Sequence, residues 1–223
     1  MKAQDAARLI DISCVRTHNT YQEIFEMAQL GKKYGFINVH VLPAWVSTLV
    51  DLMKDVDNVY VGAPVGFPGG GHKSNIKLLE AKSLIDDGVQ EMDIVMNVGK
   101  FKSKEYDYVF NELKDIIEFA QGKVRRTKVI IEINALNDEE MLKACQLVID
   151  SGADYIKTGT GWIPGDANIE RVKLIKQYCK DQIKVKVAGG IRTREDFINL
   201  IDLGVERMGI NTKSAIEIVE SFI

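Results

Sequence analysis

The run Asp150-Ser-Gly-Ala-Asp-Tyr-Ile-Lys157 (DSGADYIK) leaves a helical pattern through a glycine, enters a short apolar segment and stops on a lysine. The same plan recurs as Lys33-Tyr-Gly-Phe-Ile-Asn-Val-His40, Asp86-Asp-Gly-Val-Gln-Glu-Met-Asp93 and Asp202-Leu-Gly-Val-Glu-Arg-Met-Gly209. Gly35, Gly88, Gly152 and Gly204 each suit a left-handed helix terminator, where a residue without Cβ is unstrained. Each opens a strand, and five residues on stand His40, Asp93, Lys157 and Gly209.

Apolar, β-branched runs alternate with helical patterns along the whole chain. The expected strands are 9–13, 36–41, 59–62, 91–95, 128–133, 155–158, 185–188 and 207–210. Thr20 with Glu23 and Asn137 with Glu140 have the spacing of helix capping boxes, and Thr193 with Asp196 is a weaker variant. Eight strand–helix units imply an α/β fold: a parallel sheet closed as a (β/α)8 TIM barrel, one domain over residues 1–223. An open doubly wound sheet is the rival. Against it, no Gly-rich dinucleotide fingerprint follows an early strand, and Gly69-Gly-Gly71 comes only after the third. The four glycine-led units are the even-numbered strands of the expected barrel. A layer of interior side chains comes from alternate strands, so His40, Asp93, Lys157 and Gly209 are expected in one layer. Such layers are normally apolar; an imidazole, a carboxylate, an amine and a gap read as an active site.

With 223 residues, 46% of them hydrophobic, the chain can bury one sizeable core. A net charge of −3 without blocks of like charge gives no sign of a nucleic-acid or membrane surface. Cys14, Cys145 and Cys179 are scattered and odd in number, which suits a reducing cytoplasm better than a disulfide framework. The opening MKAQDAARLIDIS lacks a signal-peptide core, and no run is long enough to span a bilayer. Composition leaves a dimer or tetramer open.

Lys157 does not stand alone. Lys184-Val-Lys-Val-Ala188 places Lys186 near the end of the next strand, so two ammonium groups should meet in a poorly solvated barrel mouth. Both cannot hold a proton comfortably, and a lysine that is neutral near pH 7 is a Schiff-base nucleophile. The alternative is a lysine that snorkels to solvent or pairs with Asp93 or Glu132. Asp93 suits proton transfer during carbinolamine formation and dehydration, and equally suits the role of a counter-ion. Asp11, Ser13, His40 and Glu132 are further pocket candidates.

The loops after the last strands look built for an anion. Gly189-Gly190 and Gly209, with Asn211 and Thr212, combine close backbone approach with a helix N-terminus, and Gly161 lies after the sixth strand. The histidines His18, His40 and His72 are not at metal-ligand spacing, so neither metal nor cofactor is expected.

Taken together, Ile10-Asp11, Glu91-Met-Asp93, Lys128–Glu132, Gly152–Thr158 with Thr160-Gly161, Val185-Lys186 with Gly189–Thr193, and Arg207-Met-Gly209 resemble the deoxyribose-phosphate aldolases over nearly the whole chain. The resemblance implies a class I aldolase that cleaves 2-deoxy-D-ribose 5-phosphate to glyceraldehyde 3-phosphate and acetaldehyde. It implies that Lys157 forms the Schiff base, Lys186 lowers its pKa, and Asp93 relays protons. It also implies that Gly161, Gly189, Gly190 and Gly209 hold the phosphate. The chain departs from the family pattern at Gly159 (serine), His40 (cysteine), Ala44 (often arginine), Ser13 (threonine) and Asn211-Thr212-Lys213 (a hydroxyl pair). It ends at Ser221-Phe-Ile223, without the C-terminal tyrosine of some members. Two other readings are a Schiff-base aldolase for another phosphorylated or carboxylated sugar, and a non-catalytic sugar-phosphate binding protein.

Overall fold

Eight parallel strands close into a barrel in chain order: β1 (Ile10–Cys14), β2 (Asn38–Val41), β3 (Tyr60–Val65), β4 (Glu91–Val95), β5 (Arg126–Ile130), β6 (Tyr155–Lys157), β7 (Lys184–Ala188) and β8 (Arg207–Gly209). The structure, a computed structural model, describes residues 1–166 and 168–223. Among the described residues, ten α-helices accompany the strands: α1 (Ala3–Ala7), α2 (Tyr21–Tyr34), α3 (Val46–Met53), α4 (Ser74–Asp86), α5 (Val98–Lys102), α6 (Tyr106–Ala120), α7 (Asp138–Asp150), α8 (Ile169–Cys179), α9 (Arg194–Asp202) and α10 (Thr212–Glu220). The barrel is the expected one, and no helix among the described residues is long and apolar enough to cross a membrane.

Local chemistry sets the helix ends. Thr20, Asn137 and Thr193 cap α2, α7 and α9, and each forms a reciprocal box with the acid three residues on. A cap of this kind is worth about 1 kcal/mol. The four repeated glycines all have positive φ, from 68° at Gly35 to 91° at Gly88. They turn the chain from helix into strand at the same distance from β2, β4, β6 and β8.

Two strands depart furthest from the sequence expectation. β3 runs on through Pro64 and Val65, which pair with Asp93 and Ile94 of β4 beyond the last pair with β2, His40 with Gly62. β5 starts and ends early, at Arg126 and Ile130 rather than at 128 and 133, because Glu132 takes a left-handed backbone, φ 55° and ψ 64°. A short 3-10 turn, Ile133–Ala135, follows it. No glycine marks that turn in the sequence.

Side chains alternate along each strand. Ile10, Ile12, Val39, Val61, Met92, Ile94, Val129, Ile156, Val185, Val187 and Met208 are all buried in the apolar core. The opposite positions enter the barrel, and most of the residues there are polar or charged.

Candidate active site

Contacts between strands that are not neighbours define the barrel interior. Arg207 on β8 reaches Glu91 on β4 at 3.1 Å, Asn38 on β2 donates to Glu91 at 3.2 Å, and Lys186 on β7 donates to Asp11 on β1 at 2.5 Å. Strand register sorts these residues into layers. Asn38, Glu91, Tyr155 and Arg207 form the lowest. Asp11, Gly62, Lys128 and Lys186 lie above, from the odd strands. His40, Asp93, Lys157 and Gly209 follow, from the even strands.

The upper layer is joined by contact as well as by register. Lys157 Nζ donates to Asp93 Oδ2 at 2.8 Å, and His40 Nε2 lies 3.8 Å from the same oxygen. Gly209 leaves room: a Cβ there would come within 3.5 Å of Lys186 Cε. Lys186 thus rises beside Lys157, its ladder partner, and also donates to Asp93 Oδ2, at 3.0 Å. Lys157 is 9% exposed, so it is neither snorkelling nor fully closed off.

Burial is the largest influence on the Lys157 ammonium, and it lowers the pKa to about 8. Asp93 opposes the shift, while Lys186 and, less strongly, Lys128 add to it. Burial alone would raise the pKa of Asp93, but Lys128, Lys157 and Lys186 together hold it well below the ordinary carboxylate range. Burial outweighs Asp93 at His40 and lowers its pKa to about 3, so that imidazole is neutral.

The two lower layers carry charges that have to be balanced. Lys128 donates to Glu91 at 2.7 Å and to Asp93 at 3.0 Å, and Arg207 donates to Asp11 at 2.8 Å. Despite burial, Asp93, Glu91 and Asp11 raise Lys128 above the usual lysine range. Asp11 stays ionised because Arg207, Lys186 and Lys128 outweigh its burial. The interior therefore holds three carboxylates, Asp11, Glu91 and Asp93, against four cationic side chains, Lys128, Lys157, Lys186 and Arg207. It is neutral when one lysine gives up its proton. Lys157 has a lowered pKa and, among the described residues, a single carboxylate partner, so it is the lysine that does so.

Above Lys157 the barrel opens into a cavity of about 510 Å³. Of the residues singled out in the sequence, Asp11, Ser13, His40, Lys157 and Lys186 line its floor and wall. Gly161, Gly189, Gly190, Gly209 and Asn211 line its mouth, with positive φ at Gly161, Gly189 and Gly190. Asp93 is fully buried behind this surface. The side chain of Asn211 caps α10 by accepting from Ser214 N at 3.0 Å and donating to Ser214 Oγ at 3.0 Å. Thr212, the first residue of α10, does not line the cavity. Nor does Glu132, which is buried and accepts from the hydroxyl and backbone N–H of Thr160.

The sequence reading gave no interior role to Lys128, Glu91 or Arg207. Strand parity carried the signal, since Glu91 and Arg207 precede Asp93 and Gly209 by two residues and Lys128 precedes Ile130 by two. A charged floor is simply not what a barrel core usually holds. Arg16 was also missed: it donates to Gly161 O at 3.1 Å and lies over the Trp162 ring, which meets Phe67 edge-on across the mouth. No group of His, Cys, Asp and Glu among the described residues could hold a metal ion.

The chain matches the family model "DeoC/LacD family aldolase" over residues 49–211. It is 42% identical to the deoxyribose-phosphate aldolase of Sinorhizobium medicae over 97% of this chain and 86% of that one. The solved structure "QR15, an Aldolase" superposes with a TM-score of 0.90 at 39% identity, covering 98% of this chain and 96% of that one. A tetrameric deoxyribose phosphate aldolase from Aeropyrum pernix gives 0.89 at 25% identity, covering 99% and 92%.

Proposed function

The chain belongs to the DeoC/LacD aldolase family, and on that footing we propose that it is a class I aldolase for 2-deoxy-D-ribose 5-phosphate, its barrel one aldolase domain. The observation that carries the reading is Lys157, a buried amine with a pKa near 8, at the floor of an open cavity beside Asp93.

Lys157 attacks the C1 aldehyde as the free amine. A proton taken up from solvent and relayed by Asp93 goes to the carbinolamine oxygen, which leaves as water, and the iminium draws in the C2–C3 bonding pair. The C3 hydroxyl proton goes to Asp93 as glyceraldehyde 3-phosphate departs. Protonation of the enamine at C2 and hydrolysis then release acetaldehyde and restore the amine. Lys186 donates to Asp11 and to Asp93 and helps to hold the pKa of Lys157 down.

The sugar phosphate fits the mouth, where Gly161, Gly189, Gly190 and Gly209 offer close backbone approach and Asn211, the N-cap of α10, lines the cavity. Arg16 adds a nearby positive charge. The unpaired cysteines support a cytoplasmic location, and the tetrameric relative supports an assembly of two or four copies. Borohydride reduction in the presence of substrate, followed by peptide mapping, tests the mechanism. The adduct is expected on Lys157; an adduct elsewhere, or none, overturns the proposal. A cleavage assay on deoxyribose 5-phosphate and neighbouring sugar phosphates tests the substrate.

A further inference from the structure

His40 stands in the active-site layer, where the resemblance would put a cysteine. Its ring lies over Gly62, its ladder partner on β3, and a Cβ at Gly62 would overlap Nδ1. The imidazole is thus fitted to a gap in the neighbouring strand.

The hydrogen bonds below fix its tautomer. A carboxylate only accepts, so the amide nitrogen of Asn38 faces Glu91 Oε2, at 3.2 Å. The amide oxygen therefore faces His40 Nδ1, also at 3.2 Å, and Nδ1 carries the hydrogen. A neutral ring has one N–H, which leaves a lone pair on Nε2. Burial among the lysines keeps the ring neutral. Among the described residues, Nε2 is the one buried side-chain nitrogen or oxygen without a hydrogen-bond partner. It lies 3.8 Å from Asp93 Oδ2, itself an acceptor, just behind the cavity wall that His40 helps to form. Two acceptors at this separation call for a shared O–H donor.

We infer that His40 Nε2 and Asp93 Oδ2 together grip the hydroxyl or water that carries protons to and from C2 and C3, so that His40 is a positioning residue of the proton relay. The inference rests on the aldolase reading. It gives the relay a defined direction. Asp93 Oδ2 already accepts from Lys157 and Lys186, and it leaves the aim of a third hydrogen to a second acceptor.

Two substitutions separate the ring's nitrogens. His40→Asn keeps an amide near Nδ1 and loses the acceptor at Nε2; His40→Gln places an amide oxygen near Nε2. The readouts are deuterium entry at C2 of acetaldehyde in D2O, cleavage of deoxyribose 5-phosphate, and borohydride capture of acetaldehyde on Lys157. H40N is expected to lose roughly ten- to hundredfold in proton transfer, with capture within about twofold of the parent, and H40Q to recover most of the loss. Loss of exchange and cleavage together identifies the gripped group as water; loss of cleavage alone identifies the C3 hydroxyl. The inference falls if H40N matches the parent, or if capture drops in step with exchange. H40Q, read alone, overturns it by capturing acetaldehyde while failing in both exchange and cleavage. A parent chain that captures nothing refutes the aldolase reading first, and this inference with it.

Discussion

Lys157 and Lys186 are ladder partners on neighbouring strands, and a single oxygen, Asp93 Oδ2, accepts from both, at 2.8 and 3.0 Å. The pair is not symmetric. Lys186 also has Asp11 at 2.5 Å and is 2% exposed, whereas among the described residues Lys157 has only Asp93 as a carboxylate partner and is 9% exposed. Chemistry and solvent access single out the same amine.

Replacing Lys157 with methionine should abolish borohydride capture and reduce cleavage by at least roughly a thousandfold. The substitution leaves three cations facing three carboxylates, so thermal unfolding should occur no lower than in the parent. Melting followed by circular dichroism, alongside the cleavage assay, checks both.

The free-amine fraction of Lys157 rises with pH through about 8. Below that value kcat/KM should climb close to tenfold per pH unit, and above it the profile should level. Lys186→Met removes a like charge and leaves Asp93 more fully to Lys157. Both changes raise the nucleophile's pKa, so the break should move to higher pH and activity at pH 7 should fall. Burial still opposes the charge, which keeps the break below the ordinary lysine value of 10.5. Profiles of kcat/KM for the two proteins test the sign.

Asp93→Asn withdraws a carboxylate from three lysines and should destabilise the fold by about 3 kcal/mol, measured by urea unfolding. The folded pKa of Asp93 lies below its unfolded value near 3.8. Its stabilisation is therefore complete above that pH and is lost as the pH falls toward the folded value. Acid unfolding of D93N should show a shallower dependence on pH in that window.

Gly159 stands where the resemblance puts serine. A Cβ there would lie 2.8 Å from Glu132 Oε1, the carboxylate that holds Thr160. Gly159→Ser should cost roughly 1–3 kcal/mol and raise KM, as Thr160 and the adjoining Gly161 shift, with Lys157 still captured by borohydride. Denaturant melts and steady-state kinetics measure the two effects.

Much of this was legible in the sequence. Four glycine-led units of one length put His40, Asp93 and Lys157 at equal heights, because a parallel barrel repeats its geometry from unit to unit. The end of β5 was not legible, since Glu132 enters the left-handed region without a glycine to announce it. The commitment of Asn211 to Ser214, and the meeting of Arg16 with Trp162, depend on how loops settle after the barrel has closed. Lys128, Glu91 and Arg207 were hidden for another reason. Each is unreasonable in a core when taken alone, and only their mutual pairing makes them admissible.

That pairing restricts how the protein can change over time. A lineage that lost the charge of Glu91 or Asp11 alone would strand a cation and drive another lysine toward the free amine, giving a second reactive nitrogen in the wrong place. One that lost Lys128 alone would strengthen the hold of Asp93 on Lys157 and quiet the nucleophile. Viable descent through the barrel floor therefore runs through charge-matched double replacements, and its residues should co-vary as acid–base pairs.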